Sequence, residues 1–161
     1  MKTIILGIGN PILGDDGVGI KVVKELKKHL KDPDIKLDEA ATGGINLLDQ
    51  MMGYDKAILI DTIKNKNIKH GEIKRLSLDD FPSFHSYNPH DISLPEACVI
   101  ARQLGETRIP HDITIFGISL RSMPCEFGEE ISEEISKAIP KTVDMIMSEL
   151  SDDKKDTVEE L

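Results

Sequence analysis

Cysteine is nearly absent from this chain. Cys98 and Cys125 are the only two, and neither belongs to a metal-type pair. That excludes a disulfide framework and suits a reducing, cytoplasmic setting. Positive charge is also short: 20 Lys and Arg stand against 29 Asp and Glu, for a net charge of −9. Such a surface repels a phosphate backbone on average, so no nucleic-acid partner is expected. No apolar run approaches the ~20 residues that span a bilayer, so no membrane insertion is expected either. The N-terminal MKTIILGIGNP carries one lysine and a short apolar run, and it stops at Gly-Asn-Pro without a small-residue cleavage site. It reads as a strand rather than a signal peptide. Internal repeats and low-complexity linkers are missing as well.

What remains is an ordinary globular composition, 39% hydrophobic and 30% charged over 161 residues, enough for one domain with a proper core. Strand-like and helix-like patterns alternate, which predicts an α/β three-layer sandwich: a mostly parallel, twisted five-stranded sheet with helices on both faces. Strands are expected over residues 3–8, 35–41, 56–61, 72–77 and 112–118. Helices are expected over 16–30, 45–52, 93–104 and 129–150, with Pro140 marking a break or kink in the last. Val22, Val23, Leu26 and Leu30 make one apolar stripe on the first helix. The domain is expected to occupy residues 1–150, and the polar 151–161, SDDKKDTVEEL, to fray.

In open parallel sheets, ligands collect outside the carboxyl ends of the strands. Three places meet that condition. Asp15 and Asp16 follow the first strand in GNPILGDDGVG. Asp61 ends the run KAILID. His90 sits in the loop SYNPHDISL before the third helix. Carboxylate, carboxylate and imidazole suit a borderline divalent ion such as nickel or zinc, and they also suit acid–base hydrolysis. An aspartate before a helix is commonly an N-cap, but one cap does not explain two consecutive aspartates.

Other chemistries fit less well. Gly7-Ile8-Gly9-Asn10-Pro11-Ile12 lacks the third glycine of a dinucleotide loop, no G-K-[ST] follows, and two carboxylates stand where a pyrophosphate would go. A cysteine nucleophile is disfavoured too. Cys98 falls on an expected buried helix face, and Glu126 beside Cys125 would raise rather than lower a thiol pKa. His29, His70 and His111 read as solvated or terminus-capping.

The motif GxGNPxxGDDGxG after the first strand, the aspartate of KAILID and the PHD loop before a helix together resemble the hydrogenase maturation proteases. Glu39-Ala-Ala-Thr42-Gly43-Gly44-Ile-Asn-Leu47-Leu48 is similar to a further element of that family, with Glu39 where an aspartate is common. The resemblance spans about residues 2–150. It implies an endopeptidase that trims the C-terminal extension from a nickel-loaded [NiFe] hydrogenase large-subunit precursor. It further implies that Asp16, Asp61 and His90 contact the metal, with Asp16 and Asp61 as catalytic carboxylates. Gly9, Asn10, Asp15, Gly17, Glu39, Thr42 and Gly44 would be supporting residues, with Asp15 capping the first helix. Nickel would arrive with the substrate, and zinc or cadmium would be able to take its place in vitro. No separate organic cofactor is implied. On this reading the three residues line a shallow acidic crevice, and Asp16→Asn abolishes processing with little effect on the melting temperature. The alternative of another class is a non-enzymatic α/β module that binds a nucleotide or a metal ion.

Overall fold

The computed structural model describes residues 1–41, 43–64, 67–80, 92–122 and 126–159. Its five strands are β1 (Thr3–Ile8), β2 (Ile35–Ala40), β3 (Lys56–Lys64), β4 (Ile73–Ser77) and β5 (Asp112–Leu120). They form one sheet in the order β2-β1-β3-β5-β4, parallel except for the edge strand β4. The helices are α1 (Val18–His29), α2 (Gly44–Met51), α3 (Leu94–Gln103) and α4 (Glu133–Glu159). The expected α/β sandwich is the observed one.

Alternation along the strands assigns the layers. Ile4, Leu6 and Ile8 of β1 and Ala57, Leu59 and Ile63 of β3 pack against α2 and α3. Ile5, Ile58, Ile60, Phe116 and Ile118 point the other way, against α1 and α4. β1 and β3 are almost continuously apolar because both of their faces are covered. On α1, Val22, Val23 and Leu26 are fully buried as the stripe predicts, each contributing about 1.5–3 kcal/mol of transfer free energy.

From β1 the chain turns outward to β2, then crosses back to lay β3 on the other side of β1. The strand order therefore reverses between β1 and β3. The crevice at their carboxyl ends is the topological switch point where such sheets bind ligands.

Several boundaries differ from expectation, and those of β3, α1 and α4 matter most here. β3 continues three residues past Asp61, because Thr62, Ile63 and Lys64 pair with Ile118, Ser119 and Leu120 and Ile63 is buried. Asp61 thus lies inside a strand rather than at its end. Residues 14–17 form a 3-10 turn, and α1 begins only at Val18, whose N–H donates to the carbonyl of Asp15. Finally, α4 starts at Glu133, runs through Pro140 without a break, and continues to Glu159.

Of the segment expected to fray, residues 151–159 are helical, and side chains beneath them tie the helix to the sheet. Lys56 is 2% exposed and sits 2.9 Å from carboxylates of Asp112, Glu149 and Asp153. Arg75 reaches Glu149 from β4, and Lys154 pairs with Asp32 at 2.9 Å. Burial alone would lower the Lys56 pKa, but the hydrogen bonds to Asp153, Asp112 and Glu149 outweigh it and hold the pKa well above the usual lysine range. For Glu149, burial pushes upward, yet hydrogen bonds from Arg75 and Lys56 bring it down to about 2.

Candidate active site

The turn after β1 is built around its carboxylates. Gly9 closes β1 with φ +150°, and a Cβ there would collide with the carbonyl oxygen of Asp16, so the position needs glycine. Asn10 makes an Asx turn, its Oδ1 accepting from Ile12 N at 3.2 Å. Leu13 N then donates to Asn10 O, and Asp16 N to Leu13 O. Farther in, α1 presses against the sheet at Gly19, where an added Cβ would meet the carbonyls of Ile60 at 2.5 Å and Ile8 at 2.8 Å.

This turn aims the Asp16 side chain back at the sheet. Its Oδ2 accepts from Asn10 N at 2.9 Å, and its Oδ1 accepts from Thr62 Oγ1 at 3.1 Å. Thr62 N donates in turn to Asp61 Oδ1 at 2.7 Å. One threonine therefore touches both carboxylates across the gap between β1 and β3. Alternation sends the Thr62 side chain to the α1 face and that of Asp61 to the α2 and α3 face. Asp16 is 2% exposed and Asp61 0%. Both are buried, where a shallow acidic crevice was expected.

Asp15 does something other than the expected capping of α1. Neither the 3-10 turn nor α1 has a side-chain cap, since the turn itself feeds the helix. Its carboxylate instead accepts from Ser132 N at 2.7 Å and Ser132 Oγ at 2.9 Å. Ser132 precedes α4, and its carbonyl accepts the bond from Ser136 N. Asp15 thus supplies negative charge to the amino end of α4 and ties the site's turn to that helix.

Other expected residues are spread about this centre. Gly17 packs with its Cα face toward Pro11, and Glu39 is half-buried on β2 opposite Gly7 of β1. Gly44 opens α2 at φ +59°, so close to the carbonyl of Ile92 that a Cβ would clash. The segment that follows the His90 loop therefore returns to the carboxyl edge. His90 itself, Thr42 and Cys125 lie outside the described residues. Among the described residues, no group of three or more His, Cys, Asp and Glu side chains is set to hold a metal. Cys98 is buried in α3, and burial pushes its thiol pKa up, against a smaller opposing pull from Arg102. It is an inert packing residue.

Two residues at this edge carry signals the sequence does not announce. Thr62 reads as a strand residue, and only the pairing of β1 with β3 makes it the link between two carboxylates. Ser119, on the same sheet face as Asp61, is fully buried with its hydroxyl unpartnered among the described residues. The glycine turn also differs from a phosphate cradle in one decisive respect. The Asn10 N–H, which such a loop would offer to a phosphate, is taken by Asp16.

The family model for the HycI hydrogenase maturation proteases matches residues 20–149. This chain belongs to that family. It is 28% identical over 131 residues to the hydrogenase 2 maturation protease of Escherichia coli strain K12, covering 80% of this chain and 79% of that one. Its fold matches the hydrogenase maturating endopeptidase HybD from E. coli with a TM-score of 0.77, over 95% and 94% of the two chains at 24% identity. It also matches the [NiFe] hydrogenase maturation protease HycI from Thermococcus kodakarensis KOD1, with a TM-score of 0.67 over 90% and 89% at 23% identity. As a hydrogenase maturation protease the chain is a peptide-bond hydrolase, and the switch point between β1 and β3 is where its fold offers a site. No helix among its described residues is long and apolar enough to cross a membrane.

Proposed function

We propose that this protease removes the C-terminal extension of a nickel-loaded [NiFe] hydrogenase large-subunit precursor in the cytoplasm. The observation that carries this reading is the burial of two carboxylates at the switch point, Asp16 on the turn after β1 and Asp61 on β3, each hydrogen-bonded to Thr62. Two buried carboxylates that share one threonine are costly to keep without purpose. Carboxylate oxygens accept more than one partner, so those already hydrogen-bonded retain capacity for a cation. The donor set fits a borderline divalent ion if His90 joins it.

Nickel in this scheme is part of the substrate, held by the precursor's own groups. Asp16, Asp61 and His90 reach toward it and so fix the scissile bond. A precursor without nickel lacks the group this site satisfies, and selectivity follows. Hydrolysis then draws on a carboxylate as general base toward water, or on polarisation of the carbonyl by the substrate's metal. Free zinc or cadmium would meet the same donors in vitro.

The test is to incubate the purified protein with nickel-loaded and nickel-free forms of the precursor and follow the extension by mass. Cleavage of the loaded form alone is expected. Equal cleavage of both overturns the role of the metal, and cleavage of neither overturns the substrate.

A further inference from the structure

Two exposed apolar side chains stand on neighbouring segments beside the turn that carries Asp16. Ile12 is 46% exposed and Phe127 83%. Leu13 and Gly128 form a parallel bridge, closed by Gly14 N to Gly128 O and Gly128 N to Ile12 O at 2.7 Å each. Each of Ile12 and Phe127 immediately precedes a bridged residue, so the bridge brings the two exposed side chains onto neighbouring segments. The pair is also fixed to the frame of the site. Asp16 lies four residues after Ile12, and the Asp15–Ser132 hydrogen bonds clamp the two segments just beyond the bridge.

A single exposed apolar residue needs no explanation. An aromatic and a branched aliphatic exposed on two segments whose backbones are tied together have the character of an interface anchor, since little backbone ordering entropy is lost when a partner covers them. The surroundings specify the partner's chemistry. Glu126, Glu129 and Glu130 are all exposed around Phe127, and the whole chain carries a net charge of −9.

We propose that Ile12 and Phe127 dock the precursor's chain beside the scissile bond: an apolar side chain of the substrate seats on the pair, and basic residues flanking it face Glu126, Glu129 and Glu130. This rests on the reading above that the precursor is the substrate.

The experiment measures steady-state cleavage and direct binding of the nickel-loaded precursor with wild type, Phe127→Ala, Phe127→Leu, Ile12→Ser and the Glu129→Lys/Glu130→Lys double variant. Phe127→Ala should raise KM and Kd roughly tenfold, with kcat within about twofold, and Phe127→Leu should recover most of the loss. The charge reversal should weaken binding at low salt, with the difference shrinking at about 0.5 M salt. Melting temperatures should stay close to wild type, because every substituted side chain is exposed or half-buried. Unchanged KM and Kd in Phe127→Ala and Ile12→Ser overturn the docking surface, whether or not wild type cleaves. A fall in kcat at constant KM overturns it too, since the pair would then only shape the Asp16 turn. Binding that depends on Phe127 without any cleavage by wild type would overturn the proposed activity and uphold the docking surface.

Discussion

Each oxygen of the Asp16 carboxylate accepts one hydrogen bond, from Asn10 N and Thr62 Oγ1, in a buried setting. That geometry revises what substitution should do. Asp16→Asn turns one acceptor into an NH2 group facing a donor, and a buried unsatisfied pair costs about 1–3 kcal/mol. Processing should be lost and thermal unfolding by calorimetry should shift downward as well, where the sequence alone suggests an unchanged melting temperature. Thr62→Val keeps the strand shape and the N–H to Asp61 but removes the donor to Asp16. It should lower cleavage and cost about 1 kcal/mol in urea unfolding, and Thr62→Ser should restore both. Acidic residues near the ends of apolar runs are visible in a sequence, so the placement of Asp16 and Asp61 at the carboxyl edge of the sheet was legible. Thr62 was not, because its meaning depends on which strand lies beside its own. The role of Asp15 was hidden for the same reason: its partner Ser132 is distant in the chain.

Elements were legible where local pattern governs them and were missed where tertiary contacts decide. The five strands and the stripe of α1 follow from periodicity. The end of β3 depends on β5, and the length of α4 depends on Lys56 and Asp32. The buried charge cluster under α4 makes a prediction about acid. The folded pKa of Glu149, about 2, lies below its ordinary 4.5. Its stabilisation is therefore complete above about pH 4.5 and is lost as pH falls toward 2. Lys56 is raised above 10.5, so its contribution is complete below that value and is lost only as pH rises through the raised pKa. Urea unfolding between pH 4.5 and 2 should show wild type losing up to about 3 kcal/mol more than Glu149→Gln. An equal acid slope in both proteins would contradict the arrangement.

At the scale of the whole molecule, fold class was readable because strands and helices alternate, but strand order was not. Nothing in the local pattern says that β3 crosses to the far side of β1, and that crossing creates the switch point. The last helix also runs beyond its expected end, to Glu159. Deleting residues 151–161 removes the Asp153–Lys56 and Lys154–Asp32 pairs and exposes the buried ammonium of Lys56. A chain ending at Leu150 should lose about 1–2 kcal/mol, or roughly 2–8 °C in melting temperature by scanning calorimetry. Cleavage below that temperature should be retained, because the deleted turns lie at the opposite end of the sheet from Asp16.

A ribosome delivers these parts in an order that leaves the enzyme unfinished until late. β3 is complete at Lys64, but its neighbour β5 ends only at Leu120, and β4 has no partner until β5 arrives. Asp15 waits longer still, for Ser132, 117 positions downstream. A nascent chain therefore carries Asp16 and Asp61 through most of translation on a sheet that is not yet closed. The tie that fixes the site's turn to α4 therefore forms only after the chain has passed Ser132.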